Sequence, residues 1–123
     1  MCRTLLVVDD AAIIREMIKD AATQAGWTIA GEAADGQQAL DRYRQARPDA
    51  VTLDMVMPRY DGLYALRGIM EFDPEARVLV VSALEQKPVL SQAFKLGAAD
   101  FLVKPFDRKG LVQSLDQMLP ATA

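Results

Sequence analysis

Four short blocks of aliphatic residues punctuate the chain: Leu5-Leu6-Val7-Val8, Ala50-Val51-Thr52-Leu53, Val78-Leu79-Val80-Val81 and Phe101-Leu102-Val103. None alternates between apolar and polar positions. Unbroken runs of this length suit strands covered on both faces, as in a parallel sheet. A fifth segment, Trp27 to Ala33, mixes apolar with polar residues and predicts a more exposed strand.

Between these blocks the spacing of apolar residues changes to three and four. Ile14, Met17, Ile18, Ala21 and Ala25 predict the inward stripe of a helix that Gly26 ends. Asp35 followed by Gln38 has the form of a capping box, with Ala39, Leu40, Tyr43 and Ala46 as the next inward stripe. Asp61-Gly62 opens a third helix through Leu66 and Ile69, and Asp73-Pro74 marks the turn behind it. Pro88 fits the first turn of a fourth, where a missing N–H costs nothing; Val89, Ala93, Phe94 and Leu96 face inward, and Gly97 closes it. Asp107 caps a last helix that stops before Pro120. Strand and helix alternate five times, which predicts a doubly wound α/β sandwich.

The 123 residues suit one domain, here read as residues 1–123, and with about half of them apolar they can build one core. Only Pro120 to Ala123 follow the last helix, so no output domain is expected. The net charge of −3 and the lack of a basic stripe argue against nucleic-acid binding. No apolar stretch approaches the roughly 18 residues of a membrane span. The run after Arg3 ends at two acids, unlike a signal peptide, so a cytoplasmic location is expected. Cys2 is the sole cysteine and histidine is absent. That excludes a Cys/His zinc site, a Ser-His-Asp triad and a Cys-His dyad. Chemistry must rest on carboxylates, hydroxyls, lysines or an oxygen-bound metal.

Open parallel sheets bind ligands beyond the carboxyl ends of their strands. The residues at those positions are Asp9 and Asp10, Asp54, Ser82 and Lys104. Each has an ordinary alternative. Asp10 reads as a cap of the first helix, Ser82 as a turn residue, Lys104 as a solvated charge, and Asp54 as bonding its own turn before Pro58. Their conjunction on one rim is harder to dismiss, because three converging carboxylates repel unless a cation balances them. An all-oxygen donor set favours Mg²⁺, or Mn²⁺, over zinc.

In the stretches LLVVDDA, TLDMVMPRYDG, VLVVSA and GAADFLVKPF, and in their order and spacing, the chain resembles the response-regulator receiver family, in its stand-alone CheY-like form. The resemblance implies a flavodoxin-like sheet of strand order 2-1-3-4-5 with five helices. It implies that Asp54 is the phosphoacceptor, taking its phosphoryl group from a phosphohistidine of a histidine kinase or phosphotransfer protein. Asp9, Asp10, the Asp54 carboxylate and the Val56 backbone carbonyl would hold the metal. Ser82 and Lys104 would contact phosphoryl oxygens, and the Lys104–Pro105 bond would be cis.

Ser82 and Phe101 are implied as a coupled switch that alters the face formed by the fourth helix, fifth strand and fifth helix for a downstream protein. The ordinary alternative for Phe101 is a core aromatic. This chain departs from the best-known stand-alone member in having Phe101 for tyrosine, and apolar Val56 and Leu84 where that member is polar. Val56 and Leu84 are therefore expected to hinder the attacking water and lengthen the life of the acyl phosphate. The resemblance implies a phosphoacceptor switch of chemotaxis type, not an enzyme with turnover. Other readings are a phosphorelay intermediate, a degenerate scaffold, a flavodoxin-type carrier or a small Mg²⁺-dependent aspartate-nucleophile phosphatase. The last calls for Asp-x-Asp after the first strand, where this chain has adjacent Asp9-Asp10.

Overall fold

The computed structural model describes residues 3–83 and 87–120. Strands and helices alternate as β1 (Arg3–Val8), α1 (Ala12–Gln24), β2 (Trp27–Ala33), α2 (Gly36–Ala46), β3 (Ala50–Asp54), α3 (Gly62–Phe72), β4 (Val78–Ala83), α4 (Lys87–Leu96), β5 (Asp100–Lys104) and α5 (Arg108–Met118). The strands form one sheet in the order β2-β1-β3-β4-β5, with every neighbouring pair parallel.

Successive strand residues point to opposite faces, so each apolar block supplies two cores at once. Leu6, Val8, Val51, Leu53, Val78 and Val80 pack under α2, α3 and α4 with Leu40, Tyr43, Leu66, Ile69 and Leu90. Leu5, Val7, Ala50, Leu79 and Val81 face α1 and α5 with Ile18, Ala22, Leu111 and Leu115. This two-sided burial is why β1, β3 and β4 read as unbroken runs.

Three helices start on the aspartates expected of them. Asp35, Asp61 and Asp107 each accept a backbone hydrogen bond, from Gln38, Tyr64 and Gly110 respectively. Gln38 returns the capping-box bond one residue further out than the pattern implies, to the Ala34 amide at 2.9 Å. Helix α1 is different: its N-cap is Ala11, without a side-chain bond, so Asp10 does not cap it.

Other expectations need correction. β5 is an edge strand that pairs only with β4, and it is partly exposed where two-sided burial was expected. Phe94, read as inward, is 43% exposed, and Met17 and Ala46 also lie outward. These residues fall at the margins of their stripes, and burial there depends on what the neighbouring element covers. No helix among the described residues is long and apolar enough to cross a membrane.

Candidate functional site

The carboxyl ends of β1 and β3 lie side by side in the sheet, Val8 opposite Leu53, so the residues that follow them meet. Asp9, Asp10 and Asp54 bring carboxylate oxygens within 4.8 Å of one another. Asp9 and Asp54 are buried, whereas Asp10 is exposed at the rim. Freed from capping, Asp10 keeps its carboxylate for this cluster.

Lys104 arrives from the end of β5. Its Nζ lies 2.8 Å from Asp9 Oδ2 and 3.5 Å from Asp54 Oδ1. Far from being an ordinary solvated charge, it is partly buried between two acids. Burial works against its charge, but the hydrogen bond to Asp9 and the charges of Asp54 and Asp9 outweigh it and raise its pKa. Pro105 follows through a cis peptide bond, as the resemblance implies.

Asp54 is the electrostatic focus. Burial, and next the charge of Asp9, push its pKa from the ordinary 3.8 up to about 6, against the opposing influence of Lys104 and the Val56 amide. That amide donates to Asp54 Oδ1 at 3.3 Å, so the bond within its own turn exists alongside the cluster. The Val56 side chain stands out from the loop, 54% exposed. Ser82 is buried within β4, next after Val81, which pairs with Asp54. Leu84 lies outside the described residues. Phe101 is not the core aromatic of its ordinary reading. It is 41% exposed and meets Phe94 edge to face, ring centroids 5.7 Å apart.

Two supports of this site were not singled out from the sequence. Arg15 of α1 donates from Nη1 to the Asp9 carbonyl at 2.7 Å and from Nε to Glu32 at 3.0 Å, fastening the β1–α1 turn to β2. Gly62 lets the start of α3 press on β3, since a Cβ there would run into the Asp54 carbonyl oxygen. The repeated Asp-Gly dipeptides at 35–36 and 61–62 were the available signal for close backbone approach.

All donors in the cluster are oxygens, and Lys104 supplies one positive charge against three carboxylates. The arrangement fits a hard divalent cation. The response regulator receiver domain family matches residues 5–116. The chain belongs to this family. A chemotaxis protein CheY of Thermotoga maritima is 43% identical over 118 residues, spanning 96% of this chain and 98% of that one. A Bacillus subtilis protein named CcdB is 44% identical over 115 residues, spanning 94% and 96% respectively. Among solved structures, the CheX–CheY–BeF3–Mg²⁺ complex from Borrelia burgdorferi superposes with a TM-score of 0.89 at 37% identity, covering 94% of this receiver and 87% of that chain. Receiver domains are phosphoacceptor switches that bind Mg²⁺ at an acidic pocket, and an acidic cluster of Asp9, Asp10 and Asp54 is present in this chain.

Proposed function

We propose that this receiver is a CheY-type response regulator in which Asp54 takes a phosphoryl group from the phosphohistidine of a sensor kinase or phosphotransfer protein. One observation carries the reading: three carboxylates gather within 4.8 Å, with Lys104 bridging two of them. An Asp54 oxygen forms a bond to phosphorus as the donor's P–N bond breaks. The electron pair stays on the imidazole nitrogen, which takes up a proton. Such transfers need in-line positioning and charge neutralisation more than covalent work from the protein.

Asp9, Asp10, Asp54 and the Val56 carbonyl would hold Mg²⁺, or Mn²⁺ in its place, and with it would come positive charge to offset that of the transferring group. Lys104, already poised between Asp9 and Asp54, pairs with one phosphoryl oxygen, and the Ser82 hydroxyl bonds another. The signal leaves by protein contact. Ser82 moves toward the phosphoryl group, the Phe101 ring responds, and the α4–β5–α5 face, where Phe94 and Phe101 stand exposed, changes shape for a downstream partner. The CheY relatives and the CheX–CheY complex support a chemotaxis role, exercised in the cytoplasm.

Incubation with acetyl phosphate and Mg²⁺, followed by intact-mass and peptide mapping, tests the assignment. The expected product carries one phosphoryl group, on Asp54, and forms only with a divalent cation present. Uptake that persists in Asp54→Ala, or steady turnover of the phosphodonor without that aspartate, overturns it.

A further inference from the structure

Arg59 occupies a left-handed backbone conformation, φ 67°, in the loop between β3 and α3. Glycine or asparagine takes that conformation readily, whereas a residue with a long side chain needs something to hold it there. The holding contact crosses to α2. Arg59 Nη2 lies 3.1 Å from Oδ2 of Asp35.

Asp35 is buried, and its other oxygen caps α2 by accepting from the Gln38 amide at 2.9 Å. Beside this pair the two backbones touch. The Gly36 amide donates to the Tyr60 carbonyl at 2.6 Å. A Cβ on Gly36 would come within 2.5 Å of the Asp61 carbonyl oxygen and 2.7 Å of that of Tyr60. Further along, the Tyr64 hydroxyl donates to Gln37 Oε1 at 2.6 Å. The loop is also closed at its base, where the Gly62 amide donates to the Met55 carbonyl at 3.1 Å.

Between these two fastenings lies Val56, whose amide reaches Asp54. We propose that the Asp35–Arg59 ion pair is a positioning clamp. It keeps Tyr60 against Gly36 and so sets where the Val56 backbone stands relative to Asp54, and with it the affinity for Mg²⁺. The inference rests on the metal site described under the proposed function. The Arg59 side chain is 74% exposed, so direct attraction contributes little. Its effect is geometric, as with groups that orient metal ligands from outside the coordination shell.

The test compares Arg59→Ala, Asp35→Asn, the double variant and Arg59→Gly. Asparagine still caps α2 while losing the charge that Arg59 meets, and glycine keeps the left-handed turn without the ion pair. Amide hydrogen exchange at Gly36 is followed in the metal-free proteins, and Mg²⁺ affinity is followed by calorimetry. The expected result is faster Gly36 exchange and a Kd weakened about tenfold in each single variant. The double variant should be no weaker than either single, as for two residues acting through one contact. Arg59→Gly should match the parent in thermal stability yet share the loss of affinity.

Single variants that keep the parent's Kd to within about twofold, or losses that add in the double variant, overturn the clamp. A parent that itself binds no Mg²⁺ overturns the metal site instead, and the clamp's effect on affinity falls with it.

Discussion

Replacing Asp54 by asparagine is expected to make the metal-free protein more stable, increasingly so as the pH rises. The carboxyl is 4% exposed, and burial followed by the charge of Asp9 raises its pKa from 3.8 to about 6. The folded state thus holds this proton more tightly than the unfolded chain does. Between those two values folding takes up a proton, so stability is greatest below the lower one and declines as pH rises through the upper one. A displacement from 3.8 to about 6 corresponds to ~3 kcal/mol at pH well above the higher value. That is a large share of the roughly 5–15 kcal/mol that holds a domain folded.

Asparagine preserves the shape and removes the charge, so Asp54→Asn should recover about 2–3 kcal/mol near pH 7.5 and little near pH 4. The chain has no histidine to titrate across the same range. Urea denaturation in the presence of a chelator, at several pH values and with unchanged m, reads the difference. Mg²⁺ at a hundredfold its Kd should then stabilise the parent by ~2.7 kcal/mol and leave Asp54→Asn nearly unmoved. A metal-free Asp54→Asn no more stable than the parent near pH 7.5 would refute a raised Asp54 pKa, as would a parent whose stability is flat from about pH 5 upward.

Lys104→Ala leaves the buried Asp9 carboxylate without its ammonium partner. It should cost about 3 kcal/mol in metal-free urea denaturation, with part regained on adding Mg²⁺; an unchanged midpoint would contradict the pairing. The Thr52 hydroxyl is buried in the middle of β3 with no hydrogen-bond partner among the described residues, so Thr52→Val should stabilise the fold by about 1 kcal/mol in the same assay. A loss of stability there would show that the hydroxyl is satisfied. Val56→Asn places a polar group at the exposed edge of the site and should shorten the half-life of phosphorylated Asp54 severalfold, followed by loss of label. An unchanged half-life would mean that the valine does not hinder water.

Much of this molecule is legible along the chain because the information is local. The blocks Leu5–Val8, Ala50–Leu53 and Val78–Val81 announce buried strands, since four apolar residues in a row suit a strand covered on both faces, although the shorter run Phe101–Val103 sits in the partly exposed β5. Asp35, Asp61 and Asp107 announce helix starts because a cap acts on amides two or three residues away. The candidate site is legible for a related reason: strand ends in an open parallel sheet share one rim, so residues far apart in number are neighbours by topology.

Covering and reach are different, because they depend on what another part of the chain brings near. Phe101 lies on an edge strand with a neighbour on one side, so its ring stands out beside Phe94 instead of filling the core. Asp9 and Asp10 are adjacent and chemically identical, yet the end of β1 buries one against Lys104 and leaves the other at the rim. Arg59 and Asp35 are 24 positions apart, and no periodicity links them. They meet because parallel strands β2 and β3 flank β1 and deliver their following loops to the same end of the sheet. Local preference acts over a few residues, whereas burial and long-range charge pairing are properties of the packed chain.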